Sequence, residues 1–180
     1  MNMRILTIPF ISLALSACHM AQVSQVGNFV APNAVEITPQ LITSGQPTAQ
    51  MLSELRDQGF QAVIYLAPPT VASAIPDEAL IVGRLGLVFI NIPIDFNKPS
   101  EHDYDSFAAV LSAMKDKKVL VHCQTNLRAS SMVFLYRVIV LKQDPNRAYE
   151  AVTEVWVPHD AWKRLIVDVL HKHGIEFEPY

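Results

Sequence analysis

The chain has 180 residues, 51% of them apolar, with twelve prolines and a formal net charge of −3. That apolar content excludes an extended disordered protein, and the length allows one domain with a proper core. No basic run and no interleaving of aromatic residues with Lys and Arg points to nucleic acid.

In chain order, Met1 to Arg4 carry positive charge and are followed by ILTIPFISLALSA, an apolar run of 13 residues. Such a run is too short to span a bilayer as a mature helix and reads as a secretory signal. It ends in Leu15-Ser16-Ala17-Cys18. This stretch resembles the bacterial lipoprotein box, in which the cysteine is lipid-modified and becomes the mature N-terminus. The resemblance implies a signal over 1–17, a lipidated Cys18, and an exported cell-envelope protein. The protein would then be anchored to a membrane, on its periplasmic face or at the outer membrane. Residues 18–35 are expected to be a tether and 36–180 a single domain. The chain has two cysteines. With Cys18 lipidated, Cys123 lacks a partner in the chain, which in an oxidising compartment marks a reactive thiol or a small buried side chain.

Further along, Gln40–Thr43 is β-like and Gly45–Pro47 a turn. Thr48 is a fair N-cap for a helix with Met51, Leu52 and Leu55 on one face, closed by Gly59. Phe60–Leu66 and Leu87–Ile94 are continuous apolar runs that predict buried strands. Between them Asp77–Gly86 predicts a short helix. Ser100 caps a helix to about Lys115, and Val119–His122 is a third apolar strand. Leu127–Leu141 is a strongly apolar helix, Pro145 opens another, and Asp160 is expected to cap the last, near whose end stands Gly174. Trp156 and Trp162 are expected to pack the final helices onto the sheet. Strands alternating with helices, without polar alternation in the strands, predict an α/β fold: a central mostly parallel sheet with helices on both faces. Ligands of such sheets sit beyond the carboxyl ends of the strands. VHCQTNLRASS, residues 121–131, lies at that edge.

A loop from a strand end into a helix start offers backbone N–H groups and a positive dipole end to an anion. An anionic sulfur is favoured in the same field, and a guanidinium can grip two oxygens. Cleaving a phosphate ester through sulfur also needs an acid for the departing oxygen.

His-Cys, a short loop, then Arg and Ser resemble the cysteine-dependent protein phosphatases. SGQPT (44–48), LRDQGFQAVIYL (55–66) and INIPID (90–95) are similar to the bacterial phosphatase-like domain found alone or joined to β-lactamase-like hydrolases, a relative of dual-specificity phosphatases. The resemblance covers about residues 36–150. It implies Cys123 as nucleophile, Asp95 as general acid, Arg128 as anion clamp and Ser130 as the hydroxyl near the leaving thiolate. Gln124, Thr125, Asn126, Leu127, Arg128 and Ala129 would form the phosphate cradle, and His122 would orient the loop through its backbone. Asp103 and Asp105 are weaker acid candidates. No metal and no cofactor is implied. The partner would be a phosphorylated protein or a small phosphate ester.

The family loop has five residues between Cys and Arg, and here there are four. Either Arg128 is the family arginine on a loop one residue short, or the length is kept. In the second case Asn126 stands at the family glycine, Ser130 at the hydroxyl position and Ala129 at the arginine. The second alignment is favoured because Asn tolerates a left-handed backbone. Arg128 would then point about 100° away around the helix start. Losing a bidentate charged contact costs about 1.5–3 kcal/mol. Weak hydrolysis, or a non-catalytic phosphate or phosphopeptide binder, follows from that. The short spacing also resembles rhodanese-like sulfurtransferases, against which SGQP and IPID argue.

Overall fold

The computed structural model describes residues 22–180. The expected signal and Cys18 lie outside the described residues. The chain runs β1 (Val23–Val26), β2 (Phe29–Pro32), β3 (Val35–Thr38), β4 (Leu41–Ser44), α1 (Ala49–Ser53), β5 (Ala62–Tyr65) and α2 (Glu78–Arg84). It continues β6 (Val88–Asn91), α3 (Glu101–Ala113), β7 (Val119–His122), α4 (Leu127–Ile139), α5 (Pro145–Thr153) and α6 (Asp160–Lys172).

The main sheet has the order β3-β4-β7-β5-β6. β4, β7, β5 and β6 are parallel, and β3 joins β4 antiparallel. Every residue of β4, β5 and β7 is buried, as covering both faces requires. Alternate residues serve opposite cores. Ala62, Ile64, Val119 and Val121 pack with Phe107, Met132, Tyr149 and Ile166 from α3 to α6. Val63, Leu120 and Ile42 pack with Leu52, Leu55, Val82 and the hairpin residue Phe29. The two-residue period of a strand therefore divides one sheet between two helix layers.

α4 buries eleven of its residues. A helix apolar nearly all round belongs in the interior. The register sets Ser44, His122, Tyr65 and Asn91 side by side along the carboxyl edge of the sheet. That row is the floor of the candidate site.

Several expectations are corrected. From Val23 onward the expected tether is folded. β1 and β2 form an antiparallel hairpin around Gly27 and Asn28, with Gly27 at φ +57°, and Phe29 and Ala31 are buried under it. The helix after Thr48 stops at Ser53 and continues as turns to Gly59. Asp160 does not cap α6: the cap position is His159, without a side-chain cap bond, and Asp160 has φ +49°. Trp162 does join the core that covers β5 and β7, as expected, and its indole N–H also donates to the Phe96 carbonyl at 2.9 Å.

Three buried tyrosines test this packing. Burial, first among the causes, pushes the Tyr65, Tyr104 and Tyr149 hydroxyls up from 10.0 to about 12. A raised folded value contributes stability that is complete below the unfolded value and is lost as pH rises through the folded one. Alkaline titration should therefore show phenolate absorbance from these three appearing late, between about pH 10 and 12, together with loss of near-ultraviolet dichroism. Full phenolate development near pH 10 with the fold intact would contradict the packing.

Candidate active site

Leaving β7, the chain enters α4 through four loop residues, and the neighbouring segments determine how they turn. The Cys123 amide donates to Ser44 O at 3.2 Å and the Gln46 amide to Gln124 O at 3.1 Å. Asn33 Nδ2 donates to Thr125 O at 2.9 Å. Asn126 Nδ2 donates to Asn33 O at 2.6 Å and to Thr43 Oγ at 3.0 Å. Asn126 has φ +71°, the left-handed backbone expected of it. The carbonyls of Gln124 and Thr125 are thus engaged from outside. Among the described residues none accepts from the amides of Gln124, Thr125, Leu127, Arg128 or Ala129. Those amides, at the start of a long helix, stand where the loop sequence implies an anion cradle.

Gly45 makes this proximity possible. A Cβ built there would lie 2.8 Å from Pro32 Cβ and 2.9 Å from Gln124 O. The second residue of SGQP is glycine because hairpin and loop close over it.

Cys123 is fully buried and has no disulfide partner among the described residues. Among the described residues, cavities of about 450 Å³ at Arg137 and Arg147 and of about 380 Å³ between Asn97–Glu101 and α6 lie away from it. The rim residues Gln124, Thr125 and Leu127 are half-buried.

His122 does not reach the loop backbone. Its Nδ1 has no hydrogen-bond partner among the described residues. Its Nε2 lies 2.6 Å from Glu78 Oε1, and its ring stacks on Tyr65, with centroids 4.7 Å apart and planes 16° apart. The other carboxylate oxygen of Glu78 accepts from Gln46 Nε2 at 2.8 Å. The Tyr65 hydroxyl is pushed up to about 12 first by burial, then by Glu78 and Cys123, with Arg128 acting against them. Groups from four elements therefore share one small volume.

Arg128 is turned inward, not out around the helix. It is 4% exposed. Its Nε donates to Ile94 O at 3.0 Å and its Nη1 to Gln124 Oε1 at 3.3 Å. The guanidinium lies 5.1 Å from the Phe96 ring centre, and Phe96 is backed by Trp162 and Trp156. Asp95, between Ile94 and Phe96, is exposed, and its carboxylate accepts from the Asn97 amide at 2.9 Å. Arg128 thus draws the Asp95 loop to the cradle. Asp103 is committed to the α3 capping box with Ser100, and Asp105 is exposed on α3. Ser130 Oγ donates to Leu127 O at 3.2 Å, so its hydroxyl is bound to its own helix. Ala129 is buried and offers only its amide.

A family model described as a DSP-PTPase phosphatase fused to NAD+ kinase matches residues 16–159. The chain belongs to this phosphatase family. Two crystal structures of a candidate phosphatase (DUF442) from Shewanella putrefaciens CN-32 are similar to it. One is 34% identical, with TM-score 0.70, over 78% of this chain and 90% of that one. The other is 32% identical, with TM-score 0.72, over 78% and 93%. The P. aeruginosa protein TpbA, solved as a cysteine-to-serine variant in complex with pTyr, is 20% identical over 81% of this chain and 82% of that one, with TM-score 0.57, and shares the fold. No curated protein matches the sequence. The family membership makes this a phosphatase-like chain of the dual-specificity type and carries the parallel-sheet architecture with it.

The contribution of Gly45 is measurable. Gly45→Ala forces Pro32 and the Gln124 backbone apart, and overpacking of this kind costs about 1–3 kcal/mol. Urea titration of the variant should show that loss; an unchanged midpoint would mean that the hairpin is not pressed against the loop.

Proposed function

We propose that the protein hydrolyses phosphate monoesters through a phosphocysteine at Cys123. The observation carrying this reading is the ring of acceptor-free amides around the Cys123 loop, with Arg128 held beside it. Phosphate oxygens would take the amides of Gln124, Thr125, Leu127, Arg128 and Ala129 and Nη1 of Arg128, replacing the long contact to Gln124 Oε1. Cys123 as thiolate attacks phosphorus, the P–O bond to the leaving group breaks, and Asp95 gives its proton to the departing oxygen. Asp95, now a carboxylate, takes a proton from water; hydroxide cleaves the S–P bond, phosphate leaves and the thiolate returns. Because Cys123 is covered, entry requires the half-buried rim at Gln124 and Leu127 to move aside. The substrate class is a phosphorylated protein or a small phosphate ester. The fold relatives solved with pTyr and with PI(5)P support a phosphate monoester in general terms.

One specific observation favours a second reading, a non-catalytic phosphate binder: the covered sulfur together with the Ser130 hydroxyl bound to its own helix. Hydrolysis of an aryl phosphate and of a phosphotyrosine peptide separates the two readings. Under the enzymatic reading Cys123→Ser abolishes turnover, and Arg128→Ala lowers kcat/KM by roughly 10- to 100-fold, the equivalent of a lost charged hydrogen bond. Phosphate binding by calorimetry without turnover in the wild type would establish the binder.

We also propose that Cys18 carries a lipid anchor in the cell envelope, as the LSAC sequence suggests. Mass spectrometry of the mature N-terminus should show an acylated cysteine that Cys18→Ser lacks. An unmodified Cys18 in membrane-fractionated protein would reject the anchor.

A further inference from the structure

Glu78 sits in the first turn of α2, where a carboxylate is normally solvated and favoured only by the helix dipole. Here it is 3% exposed. A buried carboxylate costs several kcal/mol unless it is paired, so its partners matter. One oxygen lies 2.6 Å from His122 Nε2, the residue before the candidate nucleophile. That approach is short but off the line of a hydrogen bond, so close contact with the carboxylate and the Tyr65 stack hold the imidazole. The other oxygen accepts from the Gln46 side chain at 2.8 Å, and the Gln46 backbone amide holds Gln124 O, in the residue after the nucleophile, at 3.1 Å. One carboxylate therefore grips both flanks of Cys123 without touching the cradle.

We propose that Glu78 is a positioning residue for the Cys123 sulfur, acting through His122 on one side and Gln46 on the other. Its carboxylate fixes the His122 ring beside the sulfur and keeps the loop carbonyl of Gln124 turned away from the cradle. The groups facing the imidazole are Glu78 from α2, Tyr65 from β5, the adjoining Cys123, and Arg128 across the loop, which reaches Tyr65 by its field. This deepens the phosphatase reading, but it is tested on the sulfur itself.

The experiment is iodoacetamide alkylation of the full chain from about pH 5 to about pH 9. The Cys123 peptide is quantified by mass spectrometry, and folding of each variant is followed by circular dichroism. In Glu78→Gln the rate near pH 7 should fall about tenfold and the pH of half-maximal rate should rise. Because part of the effect runs through His122, Glu78→Gln/His122→Gln should slow the reaction by less than the product of the two single effects. Gln46→Met, at the edge of the network, keeps the test open if Glu78→Gln fails to fold; a smaller rise in the same direction is expected. Profiles identical to wild type, additive effects in the double variant, or a wild-type Cys123 that never reacts would overturn the proposal. A wild type that alkylates as described but hydrolyses no phosphate ester would sink the enzymatic reading and leave this one standing.

Discussion

Between β7 and α4 the chain must leave a fully buried strand and enter a helix within four residues, and carbonyl direction decides what that turn can do. Gln46 and Asn33 pull the oxygens of Gln124 and Thr125 outward. The left-handed Asn126 then swings the following amides inward. A turn of this length with its carbonyls pointing in would repel an anion. With them pointing out it becomes a nest of donors, before any side chain is counted. Each tether is an ordinary hydrogen bond of about 1 kcal/mol, and together they fix the sign of the local potential.

Charge at the site is arranged in opposition. Glu78 and His122 are paired in the interior, and Arg128 is drawn to a backbone carbonyl and an aromatic face instead of to a carboxylate. A cation over an aromatic ring gains about 0.5–2 kcal/mol, and a charged hydrogen bond about 1.5–3 kcal/mol. Those two terms suffice to hold the guanidinium indoors while leaving its Nη1 side weakly engaged. The aromatic wall of Phe96, Trp156 and Trp162 makes the orientation stiff.

Much of this was legible from the residues. The apolar runs around Ala62, Val88 and Val119 became strands, because a sheet covered on both faces tolerates no polar alternation. Asn126 was legible because few residues other than glycine accept its backbone. Arg128 was not: helical geometry alone turns it outward, and only the Ile94 carbonyl and the Phe96 ring bring it back. Glu78 escaped notice because a glutamate after Asp77 at a helix start looks solvated. A signal did exist, since a histidine ending a fully buried strand needs a partner. The hairpin was hidden for a similar reason: Val23–Pro32 is short and no more apolar than the chain as a whole, and its burial comes from Phe29 and Ala31, two residues on one face.

Asn33 gives this hairpin a significance beyond packing. Its amide donates to Gln22 O at 2.7 Å, while its side chain holds the Thr125 carbonyl. The leading segment thus forms one wall of that nest of donors. An expression design that began the chain at residue 36, to shed what reads as a spacer, would keep every side chain assigned to the chemistry and still dismantle the wall that orients them. Any pull exerted on the polypeptide upstream of Gln22 would be delivered within two residue contacts to the turn that carries the thiol.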